Sequence, residues 1–267
     1  MKKQLIAAAL SAALLAGGQN VAAAAAPLTI DGTALEASGS YLSNNTTYVP
    51  IRTVTEALRP DAAVSWSDGQ AVVSAWDLNL TARPGDLYIQ ANGRCLYVPE
   101  GVQVQGYDIL VPIRVLGRAL GAYINWNGAS SAVEITSGSS PIPSGTLAYQ
   151  EDVVYWLSRI IYAESGNQSL DGKIAVGNVV LNRVASPRFP NTVYEVIFQR
   201  NQFTPAMTGS INRTPSAESV IAAKLCLDGA NTAGDALYFV NPNMSPYSWA
   251  SRNRPYVATI GAHAFFA

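Results

Sequence analysis

From Pro27 onward the chain alternates short apolar runs with turn residues, and two of its stretches repeat. Tyr48-Val-Pro-Ile-Arg-Thr-Val54 returns 62 positions later as Leu110-Val-Pro-Ile-Arg-Val-Leu116, and Ala57-Leu58 returns as Ala119-Leu120. Trp66 returns as Trp126 at an offset of 60, so the first copy carries two extra residues near Arg59-Pro-Asp61. Each copy predicts the same elements. An extended entry leads to Pro50 or Pro112 at the first helical position, where the missing N–H is harmless. A short amphipathic helix follows, with Ile51, Val54 and Leu58, or Ile113, Leu116 and Leu120, facing inward. A strand ending in Trp66 or Trp126 then reverses through Ser67-Asp-Gly69 or Asn127-Gly128 into a second strand. Residues 78–80, 87–89 and 95–98 read as further strands, giving a small α+β domain over residues 27–136.

Residues 137–146 are rich in Ser, Gly and Pro and read as a linker, flexible at Gly and Ser and held extended by the prolines. Helical periodicity then runs over 150–164, 171–184 and 192–198, with Pro187 and Pro190 marking the break before the last. Thr214-Pro-Ser-Ala-Glu218 starts another helix, with Pro215 near its first position, which ends at Gly229. Residues 237–240 and 256–260 read as extended. Residues 147–267 therefore form a mainly helical α+β domain, and the chain as a whole is a two-domain α+β protein.

Composition adds an address. Among 267 residues 49% are hydrophobic and 13% charged, enough apolar material for folded cores. A net charge of −1 gives no reason to expect nucleic acid as a partner. Lys2 and Lys3 precede an apolar run, Leu5–Leu15, and a small-residue tract, Val21–Ala26, a pattern that reads as a signal peptide over residues 1–26. An uncleaved anchor is the alternative, but Gln19 and Asn20 interrupt the run. No later segment is long enough to span a membrane, so the mature chain is expected to be exported. Cys95 and Cys226 fall in different domains. They could form a disulfide in an oxidising setting, but the reading preferred is two separate thiols, with Cys226 packed in a helix.

The candidate chemistry centres on Glu164. Val153, Leu157 and Ile160 are spaced by four and three, and the next position in that series is 164. A helix of this period puts a carboxylate on its buried face, near its C-terminus, and both placements disfavour the charged form. A carboxyl that keeps its proton near neutral pH suits a general acid. The bland alternative is a solvated glutamate at a helix end. Residues 27–262 contain no histidine, so His263 alone is available, too few for a zinc hydrolase and poorly placed for a Ser-His-Asp or Cys-His enzyme. His263 reads as a structural hydrogen-bonding residue, and no metal or cofactor is expected. Carboxylate chemistry remains, and it suits glycosidic bonds. Asp171, Glu195, Glu218 and Asp235 are the possible second acids. Asp171 reads as a helix N-cap, Glu195 as solvated, and Glu218 as a first-turn residue that suits the helix dipole.

Tyr162-Ala-Glu164, Gly172–Val176 and Val179-Val-Leu-Asn-Arg183 form one block of a longer pattern. Phe189-Pro-Asn-Thr192, Val196-Ile-Phe198, Gln202-Phe-Thr204, Ala236-Leu-Tyr238, Asn241-Pro242 and Thr259-Ile-Gly261 with His263 and Phe265 follow in order. From about Tyr155 to the C-terminus this resembles the SleB-type cell wall hydrolases, the spore-cortex-lytic enzyme family. The resemblance implies a lysozyme-like fold and a lytic transglycosylase with one catalytic carboxyl, Glu164, acting on peptidoglycan glycan strands outside the cytoplasm. It also implies that Gln202, Phe203, Thr204, Tyr238 and Asn241 bind substrate, the Thr204 and Tyr238 hydroxyls orienting the sugar. Against these stand plainer readings of Phe203 as a core aromatic and Asn241-Pro242 as a turn. Asn182 and Arg183 are expected to stabilise the domain near the site. A hydrolytic muramidase and a non-catalytic wall-binding protein remain the alternatives, and both cortex and vegetative wall stay open as substrates.

The repeat resembles the copper amine oxidase N-terminal-like domain over Leu28–Thr136, although the absence of histidine there leaves no copper site. Arg52 and Arg114 could contact a ligand, but the reading preferred is helix-surface or ion-pair residues. Trp66 and Trp126 could stack on sugars, but core packing near a hairpin is preferred.

Overall fold

The computed structural model describes residues 23–24 and 26–267. The expected signal peptide, apart from its last few residues, lies outside the described residues.

The N-terminal domain is built from β1 (Ala23–Ala24), β2 (Leu28–Ile30), β3 (Thr33–Leu35), β4 (Tyr41–Ser43), β5 (Thr46–Pro50), α1 (Ile51–Leu58), β6 (Ala63–Ser67), β7 (Gln70–Ala75) and β8 (Leu78–Ala82). It continues with β9 (Tyr88–Ala91), β10 (Arg94–Tyr97), β11 (Gln103–Gln105), β12 (Asp108–Pro112), α2 (Ile113–Leu120), β13 (Tyr123–Asn127) and β14 (Ala132–Thr136). The two repeat strands, β5 and β12, pair antiparallel, with Tyr48 opposite Pro112, Val49 opposite Val111 and Pro50 opposite Leu110. The copies are thus related by a local two-fold axis through Val49 and Val111. They form the centre of one sheet, ordered β1-β4-β5-β12-β11. The hairpin of the first copy joins β10-β9-β8-β7-β6, and that of the second joins β13-β14-β2-β3.

Pro50 and Pro112 close their strands and cap α1 and α2, one residue ahead of the position expected. A residue with no N–H to donate suits a strand end and a helix start alike. Ile51, Val54, Ile113, Leu116 and Leu120 are buried as the pattern requires. The tryptophans are not. Trp66 is 58% exposed and Trp126 51% exposed, which corrects the core-packing reading. Each shares a strand face with a half-buried residue, Val64 or Ile124. The eight-residue helices α1 and α2 cover that face only as far as those residues.

Residues 137–144 follow a fixed path instead of the flexible one expected. Ser137 N and Oγ donate to Asp31 (2.9 and 2.6 Å), Ile142 N donates to Ala119 O (3.1 Å), and Asn92 Nδ2 donates to Ile142 O (2.9 Å). Ile142 is buried, and Gly145 N donates to Asn92 O (2.8 Å) where the single turn α3 (Gly145–Ala148) begins.

The C-terminal domain comprises α4 (Glu151–Ser165), α5 (Leu170–Ala185), α6 (Val193–Phe198), α7 (Thr204–Thr208), α8 (Ala217–Leu227), β15 (Tyr238–Val240), α9 (Trp249–Asn253), β16 (Tyr256–Ile260) and β17 (His263–Phe266). Its strands form an antiparallel sheet ordered β15-β17-β16. The core joins Leu157, Ile160 and Ile161 of α4, Ile174, Val179 and Val180 of α5, and Ala222 and Leu225 of α8. Gly177 sits where these helices meet. A Cβ there would lie 2.6 Å from Cys226 Sγ and 2.9 Å from Ile161 Cδ1, so only glycine lets the backbones approach.

Hydroxyl caps set the helix starts: Ser169 for α5, Thr192 for α6 and Ser216 for α8. Asp171 is therefore not the N-cap expected, because the shorter Ser169 side chain reaches Gly172 N two positions earlier in the chain. Pro215 likewise lies before the cap of α8 rather than inside the helix. Cys95 and Cys226 are both free and buried. Cys226 packs between helices and donates to Ile174 O (3.3 Å), whereas Cys95, on β10, joins the core of the C-terminal domain together with flanking Leu87, Tyr88 and Tyr97. No helix among the described residues is long and apolar enough to cross a membrane.

Candidate active site

Glu164 stands one residue from the end of α4, on the face whose earlier members Leu157 and Ile160 are fully buried. The side chain is partly buried, and burial alone raises its pKa from the ordinary carboxylate value to about 7. No charge or hydrogen bond contributes to that shift. A lone, desolvated carboxyl of this kind keeps a substantial protonated fraction near neutral pH yet still meets solvent, so it can exchange its proton.

The chain after Glu164 is pinned. Gln168 N donates to Ser165 O (2.9 Å), and the buried Lys173 ammonium donates to Gln168 O. Gln168 Oε1 accepts from Ala262 N (2.9 Å), in the turn between β16 and β17. The end of α4 is thereby tied to the sheet that carries Tyr238.

Three of the other acids are engaged elsewhere. Asp171 accepts from Tyr97 Oη (2.6 Å), and Glu218 pairs with Lys173 (2.7 Å). Glu195 is held at the start of α6 by the N-cap Thr192, whose Oγ1 donates to Glu195 Oε2 (2.8 Å) while Glu195 N donates to that Oγ1 (3.2 Å). Asp235 is exposed.

Three of the five expected substrate-binding residues converge on Arg183. Its Nε donates to Leu237 O (2.7 Å) and its Nη1 to Gln202 Oε1 (3.0 Å). Its guanidinium lies 5.0 Å from the Phe189 ring, 5.1 Å from Phe203 and 5.4 Å from Tyr238. Arg183 is 5% exposed, and burial lowers its pKa to about 10, so the group stays cationic. Its compensation comes from a carbonyl, an amide and three aromatic faces. Asn182 Nδ2 donates to Gly234 O and Ala236 O (both 2.9 Å), fixing the loop into β15. Both residues thus stabilise the region from within.

Phe203 is 2% exposed, so it supports the site as a core aromatic instead of lining it. Its ring faces Phe239 and Arg183, which leaves it no surface to offer. Gln202 and Thr204 are exposed, and Tyr238 is half-buried. Asn241 Oδ1 accepts from Asn243 N (3.0 Å), the turn role weighed for it. His263 does not act as the hydrogen-bonding residue expected. Its ring lies between Phe239 and Phe265, its Nδ1 is buried with no partner among the described residues, and burial lowers its pKa.

Arg254 and Trp249 are not among the residues expected near the site. Arg254 lies 5.3 Å from the Tyr238 ring and 4.8 Å from the Trp249 ring, which itself packs on Tyr238 at 5.5 Å. Tyr238 thus has two guanidinium groups within 5.4 Å of its ring, with Trp249 53% exposed beside it. The only signal was the density of aromatic residues in 247–256.

Residues 167–266 match the family profile described as cell wall hydrolase, and residues 29–135 match that of the copper amine oxidase N-terminal domain. The chain thus carries a cell wall hydrolase domain, with a copper amine oxidase N-terminal-like domain ahead of it. Among curated relatives, the spore cortex-lytic enzyme of Bacillus cereus is 36% identical over 124 residues, 46% of this chain and 46% of that one. The spore cortex-lytic enzyme of Oceanobacillus iheyensis is 30% identical over 141 residues, 53% of this chain and 51% of the relative. The chain thus spans about half the length of the curated relatives it matches. The solved catalytic domain of the germination-specific lytic transglycosylase SleB from Bacillus anthracis is 35% identical, covering 47% of this chain and all of that one, with a TM-score of 0.43. The family match begins at residue 167, three residues past Glu164, so the part assigned to Glu164 rests on its own geometry.

Proposed function

We propose that this protein is an exported lytic transglycosylase that cleaves the glycosidic bond between N-acetylmuramic acid and N-acetylglucosamine in peptidoglycan, with Glu164 as its acid and then its base. The observation that carries this reading is the state of Glu164: one carboxyl, unpaired, raised by burial to about 7, while three of the four other candidate acids are committed to structural contacts. A single carboxyl suffices when no water has to be activated. The protonated Glu164 gives its proton to the glycosidic oxygen as the bond from that oxygen to C1 of the muramyl ring breaks. The resulting carboxylate takes the proton of the muramyl C6 hydroxyl, and that oxygen bonds to C1, closing a 1,6-anhydro ring. Glu164 ends protonated, ready for the next bond. Exposed Gln202 and Thr204, with Tyr238 beside Arg183 and Arg254, form the surface on which the sugar is oriented. The relatives' names place their activity on spore cortex; the substrate of this chain is assigned only as wall peptidoglycan, outside the cytoplasm.

The test is the mass of the products. Purified peptidoglycan should yield muropeptides one water lighter than hydrolytic ones. Products at full hydrolytic mass would instead require a water-activating base and identify a muramidase. Wall binding without any soluble product would leave a non-catalytic binding protein.

The working protonation state also sets a pH profile. Glu164 must be protonated before each turnover, so the competent fraction falls as pH rises through about 7. Initial rates on peptidoglycan, measured from about pH 5 to about pH 9, should be flat on the acid side and fall about tenfold per unit on the alkaline side. A profile that rises through neutrality would show that the carboxylate, not the acid, is the competent form.

A further inference from the structure

The second repeat of the N-terminal domain borders a cavity of about 450 Å³ between β5, the start of α2 and β13. Its walls carry Trp126, Arg114, Asn45, Asn125, Thr46 and Ile124. Trp126 is half exposed there, which leaves part of its ring free to stack on a ligand in the cavity. Arg114 Nη1 donates to Ile124 O (3.0 Å), which holds the guanidinium beside the cavity. No carboxylate of the described residues pairs with it.

The internal repeat supplies the comparison. In the first copy the equivalent arginine, Arg52, is neutralised by Glu56 one turn along the same helix (3.2 Å). The position equivalent to Glu56 in the second copy is Arg118, which turns away to Asp228 (2.7 Å). The second copy therefore lacks the acid that would quench Arg114. It combines an aromatic face, an unpaired guanidinium and amide and hydroxyl groups in one concavity.

We propose that this cavity is a second glycan site, separate from Glu164, which takes a pyranose bearing a carboxylate. The sugar stacks on Trp126, its carboxylate meets Arg114, and its acetamido and hydroxyl groups meet Asn45, Asn125 and Thr46. The choice of peptidoglycan as the source rests on the proposed function; there the carboxylate belongs either to the lactyl group of muramic acid or to the stem peptide.

Calorimetry on the full chain carrying Glu164→Gln tests this with three probes. These are the disaccharide of N-acetylglucosamine and N-acetylmuramic acid, the same disaccharide with a tripeptide stem, and neutral chitobiose. The acidic probes should bind at least tenfold more tightly than chitobiose at one site, and Trp126→Ala should remove that site while leaving the thermal midpoint within about 2 °C. A stronger response to the free lactyl disaccharide assigns the carboxylate to muramic acid, and a stronger response to the tripeptide form assigns it to the stem. An isotherm unchanged in Trp126→Ala overturns the site, and so does equal affinity for chitobiose, which needs no variant to fold. Loss of turnover in Glu164→Gln without a second site removes this inference and leaves the catalytic reading. A second site with turnover undiminished in Glu164→Gln does the reverse.

Discussion

Glu164→Gln is expected to reduce the release of soluble muropeptides by roughly 10³-fold or more, since one side chain supplies both the acid and the base step and general acid–base catalysis is typically worth 10²–10⁴. The same substitution should make the protein more stable. In the folded state Glu164 keeps its proton up to about pH 7, whereas the unfolded chain releases it at the ordinary carboxylate value. Between these two values the folded state binds more protons than the unfolded one, so stability falls as pH rises through that window and stays lower above it. Glutamine is neutral throughout and escapes that loss. At about pH 8 the variant should gain about 1–3 kcal/mol over the parent, discounting the full shift because the side chain still meets solvent. Near pH 4 the difference should vanish. Denaturant unfolding at the two pH values, beside the muropeptide assay, separates the cases. A variant that loses activity and stability together would mean that Glu164 is a structural residue whose carboxylate is stabilised by contacts.

The distribution of Glu164, Trp126 and Arg183 between legible and illegible follows the range of the interactions involved. The period of α4 was visible because helix faces are set by neighbours three and four positions away. The desolvation of Glu164 follows directly from that face. The repeat was visible for the same reason, since Pro50 and Pro112 act on the residues beside them. Arg183 was visible only as a family residue, because its partners Phe189, Gln202, Phe203, Leu237 and Tyr238 come from three separate segments. Its cage is a tertiary object with no local periodicity. The tryptophans failed for a different reason. A strand pattern says which face a residue is on, but not whether the layer above reaches that far. The path of residues 137–144 failed because composition reports the freedom of an isolated chain, whereas Asp31, Asn92 and Ala119 supply partners from distant segments.

Asp228→Ala is expected to cost about 3–5 kcal/mol of unfolding free energy, the largest stability loss predicted for a single side chain here. Asp228 caps the C-terminus of α8, where the helix dipole disfavours a carboxylate. Its side chain is 1% exposed. What offsets both costs is a ring of donors from the N-terminal domain and the connection. Arg94 of β10 approaches with two nitrogens, its Nε at 3.0 Å from Oδ1. Arg118 of α2 spans the carboxylate and the backbone, Nη2 to Oδ1 and Nη1 to Asp228 O, both at 2.7 Å. Tyr149 Oη donates to Oδ2, and burial together with that contact pushes the Tyr149 phenol well above its usual range. Removing the carboxylate leaves Arg94, whose side chain is 15% exposed, without an anion at the junction of the two domains. Cys95 and Tyr97, also on β10, pack into the C-terminal core, so the loss should spread across the junction. Two unfolding transitions should replace one, and protease should cut first within residues 137–149. Asp228→Asn keeps the shape but turns an N–H₂ group toward two guanidinium groups, so it should fall between Ala and the parent. If Asp228→Ala instead unfolds in one transition with an unchanged midpoint, packing around Cys95 and Tyr97 alone holds the domains, and the N-terminal domain is fixed to the catalytic one by its apolar surface.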